Sequence, residues 1–325
     1  MKLQAVLIAL LAGSANAAFA ADCGPLRMVN TVQMVRPAGS DKDYIPIHIN
    51  GKELQFLFDT GGVTTMISRE AAEELKLPIR QGNAEYYDLV GNISRDQASV
   101  DQFTLGHLQG KNRIFPIAPF GRDVNIFSLN FMLPYDVDVD FGTDKLNFFS
   151  QEHCDGGVVY WKAAAVAVVP MTVRQGHMTV PVMLDGREWP AIIDTGADTS
   201  TLRMDIAQRS YGLTMGTAGT AENGVLNGDQ GLKTYAHTFK SLSFGSITVT
   251  NPEIVIIPDA MKRNGDRSQQ LEARAKLERD DIVGPPMLIG MDVLRHLHIY
   301  MAFGERKMYI SAASAPIAAA AQPAQ

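Results

Sequence analysis

Asp59 and Asp194 are the residues of this chain whose surroundings best suit chemistry. Each opens an Asp-Thr-Gly tripeptide directly behind an apolar run. Leu54, Phe56, Leu57 and Phe58 lead into Asp59-Thr60-Gly61-Gly62, and Ala191, Ile192 and Ile193 lead into Asp194-Thr195-Gly196-Ala197. A carboxylate at the end of a strand can act as base, acid or nucleophile. One Asp-Thr-Gly alone is better read as a capped turn; two in matching surroundings need a common explanation. Phosphoryl transfer also uses such aspartates, but no second acidic motif or phosphate-cradling Gly-rich loop accompanies these.

The elements that must position the two acids repeat as well. The aspartates are 135 residues apart, and the same shift lays Ile45-Pro46-Ile47 on Val180-Pro181-Val182 and Asn50-Gly51 on Asp185-Gly186 without a gap. Each copy predicts a strand, an Asn-Gly or Asp-Gly hairpin turn, and a second strand that ends in the Asp. Further on, Leu105-Gly106 echoes Phe244-Gly245, and Asp140-Phe141-Gly142 echoes Ala302-Phe303-Gly304. The chain is an internal duplication of one β-rich unit.

With 325 residues and 46% hydrophobic composition the chain can bury a large core, and its length suits two domains. A net charge of −6 and the absence of a basic stripe argue against nucleic acid as a partner. At the N-terminus, Lys2, the short apolar run Ala5–Ala12 and two small-x-small sites predict a signal peptide over 1–20, a soluble mature chain without a membrane anchor, and export to a bacterial periplasm. That compartment permits a disulfide between the two cysteines, Cys23 and Cys154; two free thiols are the alternative. The Ala/Pro/Gln-rich end predicts a disordered tail over 312–325. The repeat predicts lobes over 21–157 and 158–311.

Between these landmarks, Ser68 to Leu75 predicts a short helix ended by Pro78, and a second helix is expected over Met204–Ser210. Hairpins are expected around Gly91-Asn92, beside Tyr86 and Tyr87, and around Asn223-Gly224. Strict alternation in Asp136-Val137-Asp138-Val139-Asp140 predicts a strand with a solvated acidic face, since Phe141 stands where a calcium loop needs glycine. His296 and His298, two apart, are expected on one face of a strand, with no further residues pointing to a metal site. The segment 259–286 has no counterpart in the first copy and predicts a solvated surface helix.

These residues resemble the aspartic proteases, specifically bacterial pepsin/retropepsin-like proteins with both lobes in one chain. Phe58 to Gly62, Ile193 to Ala197 and the late Leu288-Ile289-Gly290-Met291-Asp292 carry the resemblance, which spans roughly Tyr44 to Ile310. It implies an all-β fold of two barrel-like lobes about a pseudo-twofold axis, with both loops meeting in a cleft. In that family the two carboxylates, about 3 Å apart, share one proton. The charged one activates water as general base, and the protonated one hydrogen-bonds the scissile carbonyl. Asp59 and Asp194 would then be catalytic, with no metal or other cofactor. Thr60, Gly61, Thr195 and Gly196 would brace the loops. Tyr86, Tyr87, Gly91, Asn223 and Gly224 would form flaps over a peptide or unfolded protein substrate. Two lobes in one chain make a monomer sufficient. Gly62 and Ala197 replace a hydroxyl residue common in pepsins, which predicts a mildly rather than strongly acid optimum.

The first copy departs from the pattern. Ser128 stands where the second copy has Gly290, and Asn130 where it has Asp292. A hydroxymethyl group there would press on the loop that carries Asp59. The sequence therefore keeps two readings open: an exported aspartic endopeptidase, or a non-catalytic protein that binds extended peptides in the same cleft.

Overall fold

The two Asn-Gly and Asp-Gly turns come out alike in the computed structural model, which describes residues 23–87, 93–119, 124–226, 232–258 and 286–314. Asn50 and Gly51 have φ of 50° and 86°, and Asp185 and Gly186 have 44° and 78°. Positive φ at both central residues matches the right-handed twist of the strands they join. Each turn is also tied to a neighbouring strand by its Asx side chain. The Gln102 amide donates to Asn50 Oδ1 (2.9 Å), and the Ser241 amide donates to Asp185 Oδ1 (2.8 Å). Gly106 and Gly245, the next repeated pair, share a left-handed φ of 56° and 55°.

The protein is all-β and two-lobed, with a few short helices. In the first lobe the sheet order is Ile79–Tyr87, Ile93–Leu105, Tyr44–Ile49, Lys52–Asp59 and Asn125–Ser128, with Leu108–Pro116 also paired to the long second strand. In the second lobe His177–Leu184, Arg187–Ile193 and Met287–Ile289 occupy the equivalent centre of a ten-stranded sheet. Both sheets are open paths, so the expected barrel-like lobes do not close among the described residues. Alternation explains the core: Ile45, Ile47 and Ile49 point inward and are fully buried, as are Phe56, Phe58 and Phe127.

A third sheet joins the halves. Its order is Met28–Gln33, Lys145–Phe149, Asp136–Asp140, Leu297–Ala302, Lys307–Ala312 and Ala167–Pro170, three strands from each half. The central pairing is antiparallel, with Val139 opposite Ile299. The Cys23–Cys154 disulfide, closing a separation of 131 residues, fastens the beginning of the described chain beside this sheet. It fits an oxidising, exported environment. Among the described residues no helix is long and apolar enough to cross a membrane.

This sheet corrects the expected solvated face of Asp136–Asp140. All five residues are buried, because strands flank them on both sides and aromatic residues cover them. The acids are instead paired internally. Asp136 Oδ2 meets His153 Nε2 at 2.6 Å, and Asp138 Oδ1 meets His298 Nε2 at 2.6 Å. The Tyr160 hydroxyl donates to Asp138 Oδ2 (2.6 Å), and Trp161 stacks on the His298 ring. His296 and His298 do not share a face: His296 is exposed on the turn before the strand, and His298 is buried inside it. The helix Arg69–Glu74 lies within the expected Ser68 to Leu75, capped by the Ser68 hydroxyl, which accepts from the Ala71 amide, and it is ended by the left-handed Lys76 (φ 52°) before Pro78 is reached. Ala312 belongs to the last strand and not to a tail. Residues 1–22, 259–285 and 315–325, with the signal peptide and surface-helix expectations, lie outside the described residues.

Candidate active site

Each Asp-Thr-Gly loop leaves the end of a strand that has a parallel neighbour. Phe56–Asp59 runs beside Asn125–Ser128, placing Asp59 opposite Ser128. Ala191–Ile193 runs beside Met287–Ile289, so Asp194 stands level with Gly290. The chain then returns on the other side of the same neighbour: Met66 bridges Ile126, and Thr201 pairs with Leu288. Met66 and Thr201 are again 135 apart. Each loop is thus clamped on both sides by one short strand.

The two loops meet, and their threonines hold them together. The Thr60 amide donates to Thr195 Oγ1 at 3.0 Å, and the Thr195 amide donates to Thr60 Oγ1 at 3.1 Å. Each hydroxyl in turn donates across to a carbonyl, Thr60 to Ile193 (2.7 Å) and Thr195 to Phe58 (2.6 Å). Both side chains are buried, and each hydroxyl accepts one bond and donates one.

The glycines bring each backbone against the opposite carboxyl. A Cβ on Gly196 would lie 2.6 Å from Asp59 Cγ, and one on Gly61 would collide with the Asp194 carboxyl group. Only glycine permits this approach. Asp59 and Asp194 are consequently adjacent. Asp59 Oδ1 accepts from the Gly62 amide (2.7 Å), and Asp194 Oδ1 accepts from the Gly196 amide (2.8 Å). Burial pushes the Asp59 carboxyl above its ordinary range, although the Gly62 and Gly61 amides, Asp194 and Lys42 oppose the shift. Burial, and then the charge of Asp59, push Asp194 up to about 7. Two adjacent carboxyls that are both pushed up favour sharing one proton over ionising together, which leaves one group able to accept a proton and the other to donate.

The departures of the first copy leave the support intact. Asn130 Oδ1 accepts from the Thr65 amide and hydroxyl, both at 2.8 Å, and Thr65 Oγ1 accepts from the Ser128 amide. In the second copy Asp292 takes the amide and hydroxyl of Ser200, whose Oγ accepts from the Gly290 amide. An amide oxygen and a carboxylate oxygen accept the same pair of bonds, so Asn130 replaces Asp292 in kind. Ser128 is fully buried and fits beneath Gly62.

Of the expected flap residues, Tyr86 and Tyr87 end a strand paired with Ser94 and Ile93, and Gly91 lies outside the described residues. Asn223 and Gly224 do not form a hairpin tip. They lie inside the strand Ala221–Val225 at a bulge, and the strand pairs back with Lys233–Thr238. A glycine with φ of 129° serves the bulge there, which a turn-like dipeptide does not distinguish from a reversal.

Two residues at the rim were not singled out in the sequence. His177 Nδ1 lies 3.1 Å from the Gly61 carbonyl, and Lys42 Nζ lies 3.8 Å from Asp198 Oδ1. Each copy thus reaches across to the other copy's loop. Lys42 and His177 are 135 residues apart, so the repeat register itself was the signal.

The aspartyl protease family model matches residues 45–131 and 180–293. No curated protein matches the sequence. Among solved structures the chain is similar to an aspartic proteinase from Irpex lacteus, at 11% identity over 89% of this chain and 98% of that one, with a TM-score of 0.49. It is also similar to a retropepsin-like aspartic protease from Rickettsia conorii, at 15% identity over 38% and 92%, TM-score 0.30. A third is basic 7S globulin from soybean, at 8% identity over 90% and 98%, TM-score 0.48.

Proposed function

Because this chain belongs to the aspartyl protease family, we propose that it is an exported aspartic endopeptidase whose catalytic pair is Asp59 and Asp194. The observation that carries the reading is the cross-bonding of Thr60 and Thr195, which holds two loops 135 residues apart so that their carboxyls adjoin. Asp59, with the Lys42 ammonium nearby, suits the charged form and takes a proton from the attacking water. Asp194, the group pushed up to about 7, suits the protonated form and donates a hydrogen bond to the scissile carbonyl as charge develops on its oxygen. The water adds to the carbonyl carbon. Collapse of the tetrahedral species then moves a proton to the leaving amine and restores the shared proton. All of this needs only the two carboxyls and water.

The substrate on this reading is an extended peptide or unfolded protein, held along the cleft between the lobes, taken as 21–157 and 158–311. Both carboxyls come from one chain, so a monomer suffices. The disulfide and the N-terminal sequence support a periplasmic location. Ser128, which motivated the peptide-binding alternative, fits beneath its loop and lends that alternative no support. The reading is tested by incubating the purified mature chain with a peptide mixture between about pH 3 and pH 7, the range in which such pairs titrate. Discrete new termini support it, and peptides recovered intact at every pH oppose it.

A further inference from the structure

At the strand beneath the loop, Ser128 carries a side chain where the second copy has Gly290. A Cβ on Gly290 would lie 2.6 Å from the Thr199 carbonyl carbon and 3.0 Å from the Ala197 oxygen. In the first copy the same contact is relaxed. The Leu129 amide reaches the Gly62 carbonyl at 3.3 Å, whereas the Met291 amide reaches the Ala197 carbonyl at 2.9 Å. The two copies have exchanged their small residues: Ala197 sits over Gly290, and Gly62 sits over Ser128.

The exchange gives the serine hydroxyl somewhere to go. Ser128 Oγ lies 2.5 Å from the point that a Gly62 Cβ would occupy, and Asp59 Oδ2 lies 2.9 Å from the same point. Ser128 is 0% exposed, and its Oγ is without a hydrogen-bond partner. A buried hydroxyl left unpaired costs about 1–3 kcal/mol. Asp59 Oδ2 borders the same gap and is an acceptor for this donor, directly on rotation of the serine side chain or through a bridging water.

We infer that the Ser128 hydroxyl donates a hydrogen bond to Asp59 Oδ2 through the space left by the missing Gly62 side chain, and so acts as a positioning residue that favours Asp59 as the charged member of the pair. A donor to the charged form lowers a carboxyl's titration point. Beneath the loop, Ser128 supplies from the neighbouring strand a donor that Gly62 cannot supply from the loop itself. The second copy has no such donor, since Gly290 lacks a side chain and Ala197 carries a methyl group. The pair is therefore built unequal. The other groups facing Asp59 are Asp194 from the opposite loop, Lys42 from the segment before Tyr44, and the Gly61 and Gly62 amides. His177 touches the Gly61 carbonyl. None of these groups is hydrogen-bonded to the Ser128 hydroxyl.

The inference rests on the proposed role of Asp59, but its test does not need turnover. The Asp59 carboxyl is titrated by carbon NMR in the full mature chain, its signal assigned with Asp59→Asn, in the wild type and in Ser128→Ala. Ser128→Ala keeps the Cβ and removes only the hydroxyl. The expected result is an upward shift of the lower titration step by about one pH unit, with a parallel shift of the acid limb of any kcat/KM profile. Gly62→Ser combined with Ser128→Gly returns a hydroxyl from the loop side and is expected to restore the wild-type titration. An unchanged titration in Ser128→Ala overturns the inference whether or not the protein cleaves peptides. A shifted titration in a protein that cleaves nothing sustains the inference and counts against the protease reading alone. Folding of the variants is checked by thermal melts. Gly62→Ala alone is expected to destabilise and to be relieved by Ser128→Gly, and equal melts in both backgrounds would show that the two positions do not touch.

Discussion

Thr60 and Thr195 each give an amide proton to the other's hydroxyl, at 3.0 and 3.1 Å, and each hydroxyl donates onward to the opposite chain. Four bonds therefore cross the pseudo-twofold axis directly beneath the two carboxyls. Replacing Thr60 or Thr195 with Val keeps the volume but leaves a buried amide and a buried carbonyl unpaired. A loss of about 2–4 kcal/mol is expected, with a larger loss of peptide cleavage than of folded protein at moderate temperature. Thr→Ser at either position keeps the bonds and should behave close to wild type in urea melts. The Val variants losing no stability would mean that the cross-bonds do not hold the loops.

The raised carboxyls at the site work against folding at neutral pH. A carboxyl whose titration point rises on folding binds more protons in the folded chain, so its contribution falls as pH climbs from about 3.8 through about 7. Asp59 and the buried Asp136 act in the same direction, each raised chiefly by burial. His153 adds to it. Burial opposes its protonation, but Asp136, the Cys154 carbonyl and Glu305 outweigh burial, so the stability it provides is present below its unfolded titration point and lost above the folded one. Asp140 and Glu305 run the other way: their bonds and nearby charges outweigh burial and hold them low, so their contribution disappears on strong acidification. Thermal melts across pH should peak in the mildly acid range. Asp194→Asn should raise stability near pH 8 by on the order of 3 kcal/mol and have little effect near pH 4. A melt temperature that rises steadily from acid to neutral pH would contradict this.

The buried acid–imidazole pairs of the joining sheet predict a strong effect far from the cleft. His298→Leu leaves Asp138 without one of its close partners, with only Asn147 and Tyr160 remaining. A loss of roughly 3–5 kcal/mol is expected, as when one partner of a buried pair is removed. The double change His298→Leu with Asp138→Asn should recover part of it. Chemical denaturation of the three variants decides, and a simple sum of two losses would show that the pair is not coupled.

The disulfide closes a long loop and should matter correspondingly. Cys154→Ser is expected to lower stability by about 4 kcal/mol, with reduction by dithiothreitol giving a similar loss. Equal melting with and without reductant would show that the neighbouring strand pairing of Met28–Gln33 already fixes this end.

The site was legible because repetition is a local signal. The hairpin turns and the two Asp-Thr-Gly loops are short and recur at a fixed shift of 135, and the late Leu288-Ile289-Gly290 answers Ile126-Phe127-Ser128 at a longer one. Lys42 and His177 were open to the same reading. The Asp136–Asp140 strand was not. Alternation shows that its two faces differ, but not what covers them, and its partners His153, Tyr160 and His298 are brought in by pairings between the halves. The fit of Ser128 under Gly62 was hidden for the same reason. A serine at a glycine position looks obstructive until the residue it faces, 66 positions away, is known to lack a side chain. Asn223-Gly224 misled because bulges and turns call for the same residue types.

On the proposed function, Asp59 and Asp194 act as one catalytic pair. The direct measurement is peptide cleavage by the wild type, Asp59→Asn and Asp194→Asn, each shown to be folded, at mildly acid pH. Discrete cleavage by the wild type and a loss of at least about a thousandfold in either variant are expected, because one carboxyl alone cannot supply both base and acid. Cleavage that persists in either variant, or a folded wild type that cuts nothing, would contradict it.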